Sequence, residues 1–361
     1  MTPHPSPRRP GMSDDNQHEH VKWGVIGCGQ ISVDKTIPAI VTATNSELAA
    51  VSDMNWERLR LVEQQVEHVK TYEDSGELLA SAGIDAVYVA LPNSLHCPMT
   101  LEAARQGKHV LCEKPLALDA GEARRMIDAC RGSGVKLMTA YMARFGDVFM
   151  EAKRVLASGR LGKITMINAN FSYAAHRSYT PEKPGFWRWT GKRAGPLLDA
   201  GVYLAFTIRE LLNGRLGRVS AGVWPVISHH SQVADTVVAW FALEDGTPGV
   251  MSTTYSHDES SINIHGETGS LTLSNCFAQT PSGDLTFIAG KEQVRFKAGG
   301  NRVEHFENYR REVEHFSDAI LNHRDYRPAP REALADMRFL DAVEESAKVG
   351  RAVRINYQDD D

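Results

Sequence analysis

The sequence predicts a two-part chain: an α/β half with a doubly wound parallel sheet, then an α+β half built on an antiparallel sheet. Three observations carry this. From Val21 to about residue 145, short apolar runs alternate with amphipathic stretches, the pattern of parallel strands joined by crossover helices. Beyond that point, consecutive period-two strands are separated by turn signals such as Glu244-Asp245-Gly246 and Glu267-Thr268-Gly269, as in an antiparallel sheet. The length of 361 residues also exceeds what one hydrophobic core ordinarily serves.

The first half reads in order. "VKWGVIG" is a short apolar strand, "ISVDKTIPAIVTA" a helix, "ELAAVSD" a second strand and "NWERLRLVEQQV" a helix. "VKTYEDSGELLASAGI" supplies a short strand, a turn and a helix, and "DAVYVALP" a nearly continuous apolar strand. "CPMTLEAARQG" is a helix stopped by Gly107, "HVLCEKP" a strand, "DAGEARRMIDACRGSG" a helix and "KLMTAYM" the last strand. In the second half the helix "VFMEAKRVLASGRLG" leads to the strand "KITMINANFSYAA". An irregular basic stretch from His176 to Gly195 follows, then one helix, "PLLDAGVYLAFTIRELLNG". The strands "RVSAGVWPVIS", "DTVVAWFALEDG", "PGVMSTTYS", "SINIHGETGSLTLS" and "DLTFIAG" come next, and amphipathic helices at Asn308–Leu321 and Pro330–Val349 close the chain. The expected domains are 21–145 and 146–361, with the last helices packing back on the first domain. Residues 1–20, Pro-rich and polar, read as a disordered tail.

Composition narrows the function. A net charge of -5 gives no reason to expect nucleic acid as a partner. No apolar run approaches the roughly 20 residues that cross a bilayer, so no membrane role is expected. Arg8-Arg9 is not followed by an apolar segment, so export is not expected. The five cysteines are scattered without a C-x-x-C pair, as reduced cytoplasmic thiols are. No metal is expected: among fourteen histidines there is no H-E-x-x-H, and the side chains of His229 and His230, adjacent on a strand, would point apart.

Three clusters of residues carry chemistry. "GVIGCGQIS" places Gly27 and Gly29 directly after the first strand at a helix start, with Gln30 and Ile31 following. Such glycines permit a tight turn and close approach of a pyrophosphate to backbone N–H groups. Ser32 replaces the third glycine. Asp53 ends the second strand, where a carboxylate accepts from ribose hydroxyls and repels a 2′-phosphate; this favours NAD over NADP. Arg58 and Arg60 could still meet a 2′-phosphate, although they sit inside the following helix. Pro92, Asn93 and His96 follow one strand, and Glu113 and Lys114 end the next, at the carboxyl edge where ligands bind in doubly wound sheets. Asp199 and Tyr203, four residues apart, share one face of an otherwise apolar helix.

The G-x-G turn, the P-N-x-x-H segment, "CEKPLAL" and "IHGETGSLTL" together resemble the Gfo/Idh/MocA oxidoreductase superfamily, over about Val21 to Ile355. The resemblance implies a Rossmann domain followed by a domain with a large open antiparallel sheet, with substrate held between that sheet and the nicotinamide. It implies that Lys114 contacts the reacting hydroxyl and assists proton transfer. Tyrosine at 203, where inositol-dehydrogenase-like members carry histidine, resembles the glucose–fructose oxidoreductase and dihydrodiol dehydrogenase branch and implies an acid/base role. Lys114 is expected to lower the phenol from its usual value of about 10. Asp199 would orient the sugar or tune Lys114.

The basic segment adds His176, Arg177, Lys183, Lys192 and Arg193 as candidate contacts to a carbohydrate, including an anionic one. Trp187 and Arg188 are candidates for the nicotinamide half of the cofactor. The expected activity is NAD-dependent hydride transfer at a sugar or polyol hydroxyl. Two alternatives share the motifs: a glycosidase that oxidises its sugar transiently and re-reduces it, and a non-catalytic ligand-sensing regulator. A homodimer or homotetramer is expected by resemblance.

Overall fold

The computed structural model describes residues 19–81, 83–178, 180–181, 183, 185–227, 233–277, 283–298 and 306–357. Most of the N-terminal tail, and the His229-His230 pair, lie outside the described residues.

Six strands form the first sheet: β1 (Val21–Ile26), β2 (Ser46–Ser52), β3 (Lys70–Tyr72), β4 (Ala86–Val89), β5 (His109–Glu113) and β6 (Leu137–Ala140). Their order is β3-β2-β1-β4-β5-β6 and every pairing is parallel. β4, with all four residues buried, reads as a continuous apolar run because helices cover both faces of such a sheet. The order reverses between β1 and β4. Strand ends splay apart there, and a crevice opens at the carboxyl edge.

The second sheet has nine strands: β7 (Ile164–Ser172), β8 (Leu216–Trp224), β9 (Thr236–Leu243), β10 (Pro248–Thr254), β11 (Glu259–Gly266), β12 (Gly269–Ser274), β13 (Gly283–Ala289), β14 (Glu292–Ala298) and β15 (Val353–Arg354). Their order is β14-β13-β12-β11-β7-β10-β9-β8-β15. The sheet is mostly antiparallel, as expected, with one exception. β7 and β10 run parallel, Ser252 opposite Asn170. Connectivity explains this: after β7 the chain leaves the sheet through the basic segment and the helix Val202–Leu212, and returns as a crossover rather than a hairpin. β14 was not expected from the sequence. "EQVRFKA" is charged on its open face and forms an edge, where charge discourages further strand pairing.

The helix Val202–Leu212 explains its own composition. Residues 202–211 are all buried, as expected of a helix enclosed on every side. Phe206 stacks on Tyr141 at 4.3 Å and on Phe149 at 5.7 Å. Arg209 forms a two-pronged pair with Asp336 of the helix Pro330–Val349, at 2.7 and 3.1 Å. That helix and its predecessor Glu307–Leu321 lie against the first sheet's layer. Trp23 donates its indole N–H to Ser317 (3.1 Å), and Ala120 donates its backbone N–H to Asp341 (2.9 Å).

Candidate active site

Gly27 leaves β1 with φ +97°, and a Cβ there would lie 2.4 Å from the Ala90 carbonyl oxygen. Ser32, standing where a third glycine would be, is fully buried and donates its hydroxyl to the Gly27 carbonyl at 2.6 Å. It therefore pins the turn. The following segment opens as a π-turn, Ser32–Thr36, before regular helix Ile37–Thr42. Gly29 differs from Gly27: nothing lies within 4 Å of where its Cβ would be. The turn leaves a cradle there, which fits a pyrophosphate. The two glycines thus have separable roles. Gly27→Ala is expected to lose about 1–3 kcal/mol of stability from backbone strain alone, seen as a lower Tm. Gly29→Ala is expected to keep its Tm and lose dinucleotide affinity in a fluorescence titration with NADH.

Asp53 fits the ribose position. Its Oδ2 accepts the Cys28 N–H at 2.9 Å and lies 3.3 Å from Arg58 Nη1; its Oδ1 accepts the Asn55 N–H at 2.9 Å. Arg58 lies within its helix, as expected, and its side chain reaches the carboxylate. The guanidinium is long enough to turn back from the first helical turn, where Asn55 caps the helix. Arg60 lies over the Trp56 ring at 5.1 Å. Acid and base stand together at this end of the cradle, so the geometry does not choose between a ribose hydroxyl and a 2′-phosphate.

Past β4, Pro92 and Asn93 are half-buried at the crevice. His96 is fully buried. Its Nδ1 faces the Pro115 carbonyl at 2.8 Å and its Nε2 the Leu91 carbonyl at 2.9 Å. Burial pushes its pKa down. It ties the chain just past β4 to the chain just past β5.

Lys114 ends β5 pointing across to the second domain. Its Nζ lies 3.1 Å from Asp199 Oδ1 and 3.0 Å from the Asp199 carbonyl. It also lies over the Tyr203 ring, 4.8 Å from the centroid, a cation–π arrangement. Asp199 belongs to a π-turn, Leu197–Gly201, that precedes the buried helix; such turns recur at functional sites. Its Oδ2 accepts hydroxyls from Tyr173 and from Tyr255 (3.1 Å), with Arg188 Nε at 3.3 Å. Burial alone would raise the Asp199 carboxyl. The Lys114 and Arg188 cations and the hydrogen bond from Tyr173 overcome that and hold it well below the usual carboxylate range.

The expectation that Lys114 lowers the Tyr203 phenol is corrected. The ammonium meets the ring face, not the hydroxyl. Tyr203 is 7% exposed. Burial, then Glu113, Glu312 and Asp199, push its pKa well above 10. Tyr203 is a neutral hydroxyl and an aromatic platform for Lys114. Glu113, half-buried, accepts the Tyr88 hydroxyl at 2.5 Å and the Lys114 N–H at 3.0 Å.

The basic segment divides. Trp187 is half-buried with the Arg188 guanidinium 4.4 Å over its ring. Arg188 faces Asp199, at the reacting end of the site. Trp189 is buried against Tyr255 at 4.9 Å. Arg193 is consumed by structure: its guanidinium pairs with Asp341 (2.6 Å) and Glu344 (2.9 Å) and donates to the Leu118 carbonyl. With those partners it anchors the segment to the last helix and is not free to meet a substrate. His176 faces the Tyr255 carbonyl through Nδ1 at 3.0 Å. Arg177, Lys183 and Lys192 are exposed. Gln30 is exposed and Ile31 half-buried beside the glycine turn.

Sequence reasoning missed Tyr173 and Tyr255. Their signal was position: each follows the end of a strand, β7 or β10. Among the described residues no group of His, Cys, Asp and Glu could hold a metal ion, and no helix is long and apolar enough to cross a membrane. All five cysteines are free thiols.

A glycine cradle at the switch point of a parallel sheet, faced by a paired lysine and an open second domain, defines a class: a two-domain, dinucleotide-binding oxidoreductase. The chain belongs to the Gfo/Idh/MocA oxidoreductase family. Residues 21–141 match the family described as "Oxidoreductase family, NAD-binding Rossmann fold", and residues 149–272 the "GFO/IDH/MocA C-terminal domain". An uncharacterized oxidoreductase of Rhizobium meliloti is 30% identical over 337 residues, 91% of this chain and 98% of its own. D-xylose 1-dehydrogenase (NADP(+)) 2 of Haloferax volcanii is 30% identical over 342 residues, 92% of this chain and 99% of its own. The crystal structure of aldose-aldose oxidoreductase from Caulobacter crescentus complexed with glycerol is similar with a TM-score of 0.83 at 26% identity, covering 93% of this chain and 99% of that one.

Proposed function

We propose that this protein interconverts a sugar or polyol hydroxyl and the matching carbonyl, with NAD or NADP as hydride partner. The observation that carries the reading is the Lys114–Asp199 pair, 3.1 Å apart, at the same sheet edge as the glycine cradle. Gly27, Gly29 and Asp53 hold the dinucleotide, with Arg58 beside the ribose. The bound nicotinamide supplies the hydride donor or acceptor. Lys114 gives or takes the proton at the substrate oxygen, and general acid–base catalysis of this kind contributes roughly 10²–10⁴-fold. Asp199 orients the lysine through one carboxylate oxygen while Tyr173 and Arg188 fix the other. Trp187 and the exposed Arg177 and Lys192 select the sugar, an anionic one among the candidates. Asp53 favours NAD, and the xylose dehydrogenase relative's NADP together with Arg58 keeps NADP in the test.

The outward face of the second sheet exposes Trp224, Val238, Trp240 and Ile288, at 48, 40, 43 and 41%. A second copy of the chain covers that face in a homodimer or a larger homo-oligomer. The free thiols suit a cytoplasmic enzyme.

Incubation with NAD or NADP and a panel of neutral and anionic sugars, free and as chromogenic glycosides, tests the reading. Continuing reduced-nucleotide absorbance from a free sugar supports a dehydrogenase. Aglycone release without net reduced nucleotide would replace it with a redox-neutral glycosidase. Binding without either signal would indicate a sensor. Tyrosine variants sharpen the assignment. Tyr203→Phe retains the ring beneath Lys114 and, assayed in the direction of alcohol oxidation, is expected to keep kcat within about tenfold of wild type, because a neutral hydroxyl there is not the proton acceptor. Tyr173→Phe removes a donor from Asp199 and is expected to lower kcat further than Tyr203→Phe. The reverse order would return the acid/base role to Tyr203.

A further inference from the structure

Glu312, on the helix Glu307–Leu321, is 1% exposed. Its Oε1 has no hydrogen-bond partner. Ala140 lies opposite Glu113 across β5 and β6, and the backbone amide of the next residue, Tyr141, is directed at Glu312; the other groups that act on or feel Glu312 are the Glu113 carboxyl, Tyr203 and Tyr309, none of them a cation. A lone ionised carboxylate is not tolerated in such a place and takes up a proton instead. Burial raises the Glu113 carboxyl too, but Glu113 has what Glu312 lacks: the Lys114 cation, the Tyr88 hydroxyl, the Lys114 backbone N–H and the Arg188 cation all offset that rise. Two carboxyls that feel each other in a confined, dry space hold one charge between them, not two.

We propose that Glu312 is a positioning residue of the active site: it carries the single proton of the Glu113–Glu312 pair, leaving Glu113 ionised at the base of Lys114. The charge count then closes, with Lys114 and Arg188 positive and Asp199 and Glu113 negative. Ionising Glu312 would add an unbalanced negative charge beside Glu113, which would compete with Asp199 for the Lys114 cation. Burial pushes Glu312 far above the usual carboxylate range, and the Glu113 charge pushes it the same way.

The effect on turnover rests on Lys114 as the proton carrier proposed above. The test does not, since it needs neither sugar nor dinucleotide. Difference infrared spectra of the full chain, wild type minus Glu312→Gln, are expected to show a protonated carboxylic acid C=O band at neutral pH that persists into the alkaline range. In Glu113→Gln the same band is expected to titrate at least one pH unit lower, because the neighbouring charge is gone. Tyr88→Phe, which takes away a donor from Glu113, is expected to weaken the band as the proton moves across. Absence of the band in wild type, or a band indifferent to both the Glu113 and the Tyr88 variants, overturns the shared proton.

Discussion

Lys114→Arg is expected to fold, keep its charge beside Asp199 and lose about 10³-fold in kcat. An arginine retains a cation for the carboxylate but does not release a proton in a protein. The substitution therefore separates charge pairing from proton transfer. The residue lies at the end of β5, where Pro115 follows and the strand stops, so the change falls on the cleft side and leaves the buried strand intact. Dinucleotide binding, followed by NADH fluorescence, should stay near wild type, since Gly27, Gly29 and Asp53 lie on other strands. Substantial turnover in Lys114→Arg would mean that the lysine serves only as a charge, and the proton would have to pass through Tyr173 or Tyr203.

Asp199→Ala is expected to cost more than activity. It leaves Lys114 without its carboxylate, and Tyr173, Tyr255 and Arg188 without a common acceptor. Removing one partner of a buried ion pair typically destabilises by about 3–5 kcal/mol, and the Asp199 side chain is 11% exposed. Thermal melts should show the loss at neutral pH. The pH dependence has a definite sign. The folded carboxyl is depressed below its unfolded value of about 3.9, so the stabilisation is complete above that pH and is lost as pH falls below it. The gap in Tm between wild type and Asp199→Ala should therefore be constant from neutral pH to about 5 and close below about 4. A gap that widens in acid would show that Asp199 is not held ionised by Lys114 and Arg188.

Arg193 shows where sequence reading reaches its limit. In the sequence it is one cation among several in a basic loop. In the structure Asp341 and Glu344, about 150 residues away, take its guanidinium and turn it into an anchor. Nothing local distinguishes it from Arg177 or Lys192, which remain exposed. His96 is similar: its motif was legible, but both ring nitrogens face carbonyls at the ends of β4 and β5. Arg58 shows the converse, a helical residue whose reach brings it back to the site.

The sequence by itself determined the parallel sheet, the glycine turn at its switch point, the acid that ends β2 and the lysine that ends β5. These are local: strand period, turn chemistry and strand ends are written in adjacent residues, and the family motifs lie on the same short stretches. Tertiary structure alone decided what surrounds the lysine. The parallel pairing of β7 with β10 sets Ser252 beside Asn170, so that Tyr173 and Tyr255, each three residues further on, leave the sheet together with their rings 5.2 Å apart. Both then turn their hydroxyls onto Asp199. That register depends on a crossover through the basic segment and the buried helix, which local pattern does not encode. Burial likewise reversed the expected effect on Tyr203, because whether a cation meets a phenol's oxygen or its ring is fixed by packing and not by spacing along a helix.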